Sequence, residues 1–333
     1  MAETYSVPGT PRVYIDNVLF ARSIGMPLSV TTGNKLLWDM DPVRTTNYQL
    51  GEVLEIHSEI LVLAESQGTS NGFSDLLSTS NYAGVLNHNL LTGGNTVTVR
   101  LEANGTVITP TDNVGSFSSV SSDGFMLADI DIGEPLVEFD FRIRDTNWES
   151  DGLLSPSHDY NIGCFSLGTY LDFPVSPDLS VKMGYSHEGV QSKRTIAGKD
   201  LTHVSYSGAP NWGELPPFTI TDQYNENVYF SGAGLTGRKT WDMKFSYVDK
   251  TDMFNAVQSG SSAGTYASGG FAETSSIIGT YLSRTLGGKL KHILQPDKTK
   301  DEFYMVKLDQ KSTSITQVAH GVFEISFKFV QVW

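Results

Sequence analysis

Several groups of polar side chains in this sequence have types and spacing that could do chemistry. Glu55, His57 and Glu59 alternate along residues 53–63. In an extended strand they share one face and offer imidazole and carboxylate ligands of the kind metals take. Same-face neighbours on one strand stand about 6.6 Å apart. That is too far to close on one ion, so the face reads as solvated strand. Asp39 with Asp41, and Asp129 with Asp131, offer paired oxygen ligands for calcium. Neither pair continues with the Asn, Gly and Glu spacing of a calcium loop. Asn87-His88-Asn89 is a polar turn at a strand end, where binding groups concentrate. With Trp148, Trp212 and Tyr224 it makes the set of candidate glycan or interface contacts, since sugars stack on aromatic faces and aromatics anchor interfaces. The competing reading of Asn87-His88-Asn89 is a turn held by its own Asn side chains. Asp200, His203 and Ser205 lie close in sequence, but no Gly-x-Ser-x-Gly elbow surrounds them. No phosphate loop, dinucleotide fingerprint or zinc spacing occurs. The residues therefore assign no catalytic group, no metal and no cofactor. Cys164, alone among 333 residues, sits in an apolar stretch and is expected to be a buried structural thiol.

These side chains must be positioned by strands. Alternating apolar and polar residues mark half-buried strands. Val137, Phe139, Phe141 and Ile143 alternate against Glu138, Asp140, Arg142 and Arg144. Phe323, Ile325, Phe327 and Phe329 alternate against Glu324, Ser326 and Lys328. Residues 11–20, 53–63, 241–247 and 303–308 read as further strands, and the ending on Trp333 suggests a terminus tied into a packed strand. Short strands joined by Gly, Asn, Asp and Ser turns predict an all-β protein with minor α content. A short helix is expected over 249–259, capped by Asp249 or Thr251, with Met253, Phe254 and Val257 inward. Residues 104–123 read as a polar loop. The length suits two domains: a β-sandwich over 1–148, a polar linker at 149–159, and a mainly antiparallel β domain over 160–333. The Ser- and Gly-rich stretch near 259–270 is expected to be a flexible loop.

The formal net charge is −14. Such a surface opposes wrapping nucleic acid, which needs cationic contacts to phosphate. It is compatible with a passage along which DNA slides without sticking. Asp123, Asp129, Asp131, Glu134, Glu138, Asp140, Asp145, Glu149 and Asp151 form an acidic run, read as a solvated face. The start of the chain has no basic and apolar leader, and no apolar stretch is long enough for a membrane span. With one cysteine the fold needs no disulfide, which suits a reducing cytoplasm.

Three segments carry a resemblance. Gly237-Arg-Lys-Thr-Trp-Asp-Met-Lys-Phe-Ser-Tyr-Val-Asp-Lys-Thr-Asp-Met-Phe254 resembles a motif of tailed-bacteriophage tail and baseplate proteins. There a Gly-Arg-Arg-x-Trp-x-aliphatic-x-Phe-x-Tyr strand runs into an Asp-Leu-Phe helix; Lys239 departs from the frequent Arg. The ending Gly-Val-Phe-Glu-Ile-Ser-Phe-Lys-Phe-Val-Gln-Val-Trp is similar to the closing strand of the same proteins. Residues 81–90 resemble a turn in galactose-binding-like β-sandwiches attached to such proteins. The resemblance implies a virion structural protein, assembled in the host cytoplasm and without catalysis. It implies a homo-oligomeric ring beside other virion tail proteins, with DNA passing transiently and unspecifically. Distal tail protein, tube subunit and baseplate component all fit. An alternative is a carbohydrate-binding adhesin that recognises a host surface glycan; a polysaccharide-degrading enzyme is a third reading.

Overall fold

The computed structural model describes residues 9–26, 28–32, 34–42, 46–48, 56–62, 76–90, 97–108, 125–132, 136, 138–145, 160–186, 190–204, 238–254, 276–300 and 302–332. The fold is mostly β, as the alternation predicts, with short helical pieces. The first half holds β1 (Arg12–Asp16), β2 (Leu28–Thr32), β3 (Thr46–Tyr48), β4 (Ile56–Val62), β5 (Tyr82–His88), β6 (Val97–Ala103), β7 (Thr106–Ile108), β8 (Phe125–Asp129) and β9 (Glu138–Asp145). The second holds β10 (Tyr160–Asp172), β11 (Lys182–Ser186), β12 (Val190–Arg194), β13 (Asp200–Val204), β14 (Arg238–Asp249), β15 (His292–Gln295), β16 (Tyr304–Leu308), β17 (Ile315–Ala319) and β18 (Val322–Gln331).

These strands form two main sheets and one hairpin. The large sheet runs β11-β14-β18-β16-β15-β1-β10-β5-β8, with β17 added beside β18 and β3 beside β10. The small sheet runs β2-β4-β9-β6-β7. All the recorded pairings are antiparallel. The small sheet lies over one end of the large one as a sandwich. Its inward residues Ile56, Ile60, Phe139, Phe141 and Ile143 share a core with Val85 and Phe165 of the large sheet. Phe141 and Phe165 stack across the gap at 4.5 Å, and Trp38 packs edge-on to Phe141 while its Nε1–H donates to Ser58 at 2.8 Å. Offset stacking of this kind adds about 1 kcal/mol per pair to area burial.

The layer that faces the small sheet does not end with the first half of the chain. One layer is completed by β10, beyond the polar stretch, and β1 pairs with β10 on one edge and β15 on the other. One sheet therefore runs through both halves of the chain. Residues 149–159 and 259–270 lie outside the described residues. At the other end of the large sheet a second core gathers Phe173, Phe245, Tyr281, Phe327 and Phe329. Phe173 and Phe245 stack at 4.6 Å.

Three local readings are revised. Residues 11–20 are not one strand: β1 ends at Asp16, whose carboxylate accepts from Leu19 N–H at 2.6 Å and caps α1 (Asn17–Ser23). Buried Val18 and Ala21 then line one helical face. The loop expected from Asn104 begins instead as a tight hairpin between β6 and β7. Asn104 and Gly105 have φ of 51° and 73°, the left-handed pair that a two-residue turn of matching twist requires. The helix expected over 249–259 is a single turn at Lys250–Met253 among the described residues. Asp249 caps it through Thr251 N–H, and Met253 is buried.

The join between β1 and β10 depends on Gly168. A Cβ there would overlap the Ile15 carbonyl oxygen and lie 2.8 Å from its carbon and 3.0 Å from Asn17 N. Backbone cannot yield as a flexible side chain does. Gly168→Ala is therefore expected to lower unfolding free energy by about 3 kcal/mol in urea titration. Gly184→Ala, where a Cβ meets only Thr240 Oγ1 at 3.1 Å, is expected to lose much less. Equal losses for the two variants would refute the close-approach argument.

Candidate functional site

The residues singled out from sequence divide into those the fold consumes and those it leaves facing outward. Asn87-His88-Asn89 belongs to the first group. Asn87 has φ of 53° and donates from Nδ2 to the Pro42 carbonyl at 2.6 Å. His88 is buried, and its Nδ1 accepts from Leu90 N–H. Asn89 clamps β10: its Oδ1 accepts from Asn161 N–H at 2.7 Å, and its own N–H donates to the Asn161 carbonyl. Trp148, Trp212 and Tyr224 lie outside the described residues, as do Glu55 and Ser205. Cys164 is buried in β10, with its thiol pushed well above the usual range by burial and by Asp16. Such a thiol is inert as a nucleophile.

Three of the four paired aspartates meet the protein's own cations. Asp39 pairs with Arg22, and Asp41 with Lys291 at 3.2 Å. Asp129 lies 3.6 Å from Arg12, which also grips Asp172 and lies over the Tyr170 ring at 4.0 Å. The acidic run is not one surface: Asp129 stands on β8 of the large sheet, and Glu138 and Asp140 on β9 of the small one.

The outward face of the small sheet carries a compact charged cluster. Strict alternation on β4 and β9 sends Ile56, Ser58, Phe139 and Phe141 inward and His57, Glu59, Glu138, Asp140 and Arg142 the other way. Register then places Glu59 opposite Asp140 and His57 opposite Arg142. His57 Nε2 lies 3.1 Å from Asp140 Oδ1. Ligand atoms of His57, Glu59 and Asp140 all lie within 4.8 Å of one another. Arg142 donates to Asp140 Oδ2 at 3.2 Å and lies 3.3 Å from Glu102, which Arg100 also holds. Burial, then the charges of Asp140 and Glu59, raises the Glu138 carboxyl above the usual range. The sequence reading found two members of this cluster and missed the third. Asp140 is 83 positions from His57, and only strand pairing joins them.

A second outward feature is a protruding hairpin. Residues 190–204 fold as β12 and β13 around a turn closed by Thr195 N–H to the Lys199 carbonyl at 2.8 Å. Neither strand pairs with another strand among the described residues. Ile196 at the turn is fully exposed, and Leu201 is 52% exposed. In the chain it follows β11, the end strand of the large sheet, where Met183 is 73% exposed, and Leu179 before that strand is 85% exposed.

Two buried titratable groups are structural. Asp16 accepts from Ser166 Oγ at 2.7 Å as well as from Leu19 N–H, yet burial pushes it up to about 6. His292 is held down to about 4 by burial. Its Nδ1–H donates to the Leu290 carbonyl at 2.9 Å, which leaves Nε2 to accept from the Tyr281 hydroxyl at 3.0 Å. That pairing requires the neutral ring.

The chain matches no protein-family model, no curated protein and no solved structure.

Asp16 and His292 oppose each other in pH dependence. Folded Asp16 holds its proton more tightly than unfolded, so its contribution to stability falls as pH rises from about 4 to about 6. Folded His292 holds its proton less tightly, so its contribution falls as pH drops from about 6.5 to about 4. Each amounts to about 3 kcal/mol across its window. Relative to the parent, Asp16→Asn is expected to gain stability between pH 4 and 6 as pH rises, and His292→Gln to gain it as pH falls. Urea unfolding across this range tests both; three superimposable pH profiles would refute the assignment.

Proposed function

We propose that this chain is a structural subunit of a bacteriophage tail or baseplate, one that assembles with copies of itself and with neighbouring virion proteins into a ring around the DNA passage. The β12–β13 arm is the observation that carries this reading. A two-stranded hairpin alone is marginal in water. This one leaves Ile196 fully exposed and Leu201 half-exposed, and it pairs with no other strand among the described residues. An arm so built gains its apolar contacts on another surface.

Charge indicates which surface. The arm holds Lys193, Arg194 and Lys199 against one carboxylate, Asp200, in a chain of net charge −14. A basic arm on an acidic protein is attracted to a second copy. Where a copy docks its arm on one neighbour and receives the arm of another, the contact is heterologous and closes into a ring or extends as a stack. β11, an edge strand with outward Met183 and Tyr185, offers the neighbouring copy a template of backbone groups.

Two further features support the reading. The segments that resemble phage tail proteins become sheet neighbours: β14 and β18 pair from Thr240↔Val330 to Asp249↔Val322. The helical turn that follows β14 packs Met253 into the same core. Overall acidity suits a passage wall that repels DNA. No helix among the described residues is long and apolar enough to cross a membrane.

Mass photometry of the full chain, with imaging of large species, tests this. Particles of a defined multiple of the chain mass are expected, weakening as salt rises. Ile196→Asp with Leu201→Asp, and separately Lys193→Glu with Arg194→Glu, are expected to shift the population to monomer by about tenfold or more. These are exposed positions, so the monomer fold is expected to survive. A parent protein that stays monomeric at its highest soluble concentration, or assembly indifferent to both double variants, would overturn the reading.

A further inference from the structure

We propose that His57, Glu59 and Asp140 bind one divalent transition-metal cation of the zinc class, which ties β4 to β9 across the outward face of the small sheet. The proposal is independent of the tail-subunit reading.

Zinc is held by imidazole nitrogen at about 2.0 Å and carboxylate oxygen at about 2.1 Å in a tetrahedron. Two ligand atoms on such a tetrahedron stand about 3.3 Å apart, which follows from those bond lengths. His57 Nε2 and Asp140 Oδ1 are 3.1 Å apart, and the whole trio lies within 4.8 Å. A rotamer adjustment of Glu59, which is only partly buried, closes the remaining distance. The sequence objection, that same-face ligands on one strand splay too far, is met because the third ligand comes from the paired strand.

The surroundings favour a cation. Glu59 and Asp140 are direct cross-strand partners, and like charges in that relation repel. Among the described side chains of this face, Arg142 holds Asp140 and Glu102, and Arg100 holds Glu102. Asp140 is also fixed as metal ligands usually are: its second oxygen accepts from Arg142, which leaves Oδ1 toward His57. Its side chain is 1% exposed and that of His57 23% exposed, so one side of the site is closed and the other open to entry. The imidazole sets the class. Calcium and magnesium take all-oxygen sets, while imidazole suits zinc and its first-row neighbours.

Chelator-treated protein titrated with Co²⁺ and Zn²⁺ tests the site. Expected are one Co²⁺ per chain with visible absorption bands of low-symmetry coordination, displacement by Zn²⁺ but not by equal Ca²⁺ or Mg²⁺, and a higher unfolding temperature with Zn²⁺. His57→Ala and the near-isosteric Glu59→Gln are expected to abolish the Co²⁺ bands. His320→Ala, at an exposed histidine elsewhere, is expected to keep them. Glu59→Gln keeps the side-chain shape, so its metal-free unfolding temperature checks that folding is intact. Absence of saturable binding, binding that survives both ligand variants, or displacement by Ca²⁺ would overturn the proposal.

Discussion

The structure depends on the double pairing of β1. Arg12–Asp16 bonds to β10 on one edge and β15 on the other, and without it the large sheet would fall into two. Both faces of this strand are buried: Val13 and Ile15 enter one core, and Tyr14 the other. Its far end is held by polar contacts. Asp16 caps α1 and accepts from Ser166, and Asn17 donates to Ser80 and Thr169. Arg284, whose burial lowers it to about 10, donates to Thr79 and Thr169. Buried polar groups are costly unless bonded, so these contacts specify one arrangement of strand, helix and the segment after the π-helical turn Ile277–Leu282.

That arrangement leaves two unlike surfaces. The small sheet can present charge outward because its inward face is filled by Phe139, Phe141 and the large-sheet residue Phe165. A rigid aromatic layer behind β4 and β9 fixes where His57, Glu59 and Asp140 stand. Precision of that kind is what ion ligation needs and what a loop seldom supplies. The hairpin β12–β13 is the opposite case. It has little packing from its own chain among the described residues, and its apolar tip and basic strands suit association rather than internal stability.

How much of this was legible in sequence follows from the range of each interaction. Alternation along β9 and β18 placed Phe139, Phe141, Phe327 and Phe329 inside, because period two is a property of the strand itself. The Asp249 cap was also local, one carboxylate to an N–H two residues on. Local signals were overlooked too. Asp16 before an apolar periodic stretch is a helix start, and Asn104-Gly105 is a hairpin turn. The strands β5 and β10 resist pattern reading for a different reason: the sheet is covered on both sides there, so inward and outward residues are alike apolar.

The amino-acid sequence by itself determined the all-β class, the faces of the alternating strands, the lone buried thiol and the acidic balance, since each is set by composition or by neighbours along the chain. Tertiary structure alone decided that β10 completes the N-terminal sandwich, that β1 joins the halves into one sheet, and that Asp140 meets His57. Those relations rest on pairing between strands far apart in the chain. A strand's own residues define which side chains share a face, but only hydrogen-bonded register with a distant partner defines which residues stand opposite them.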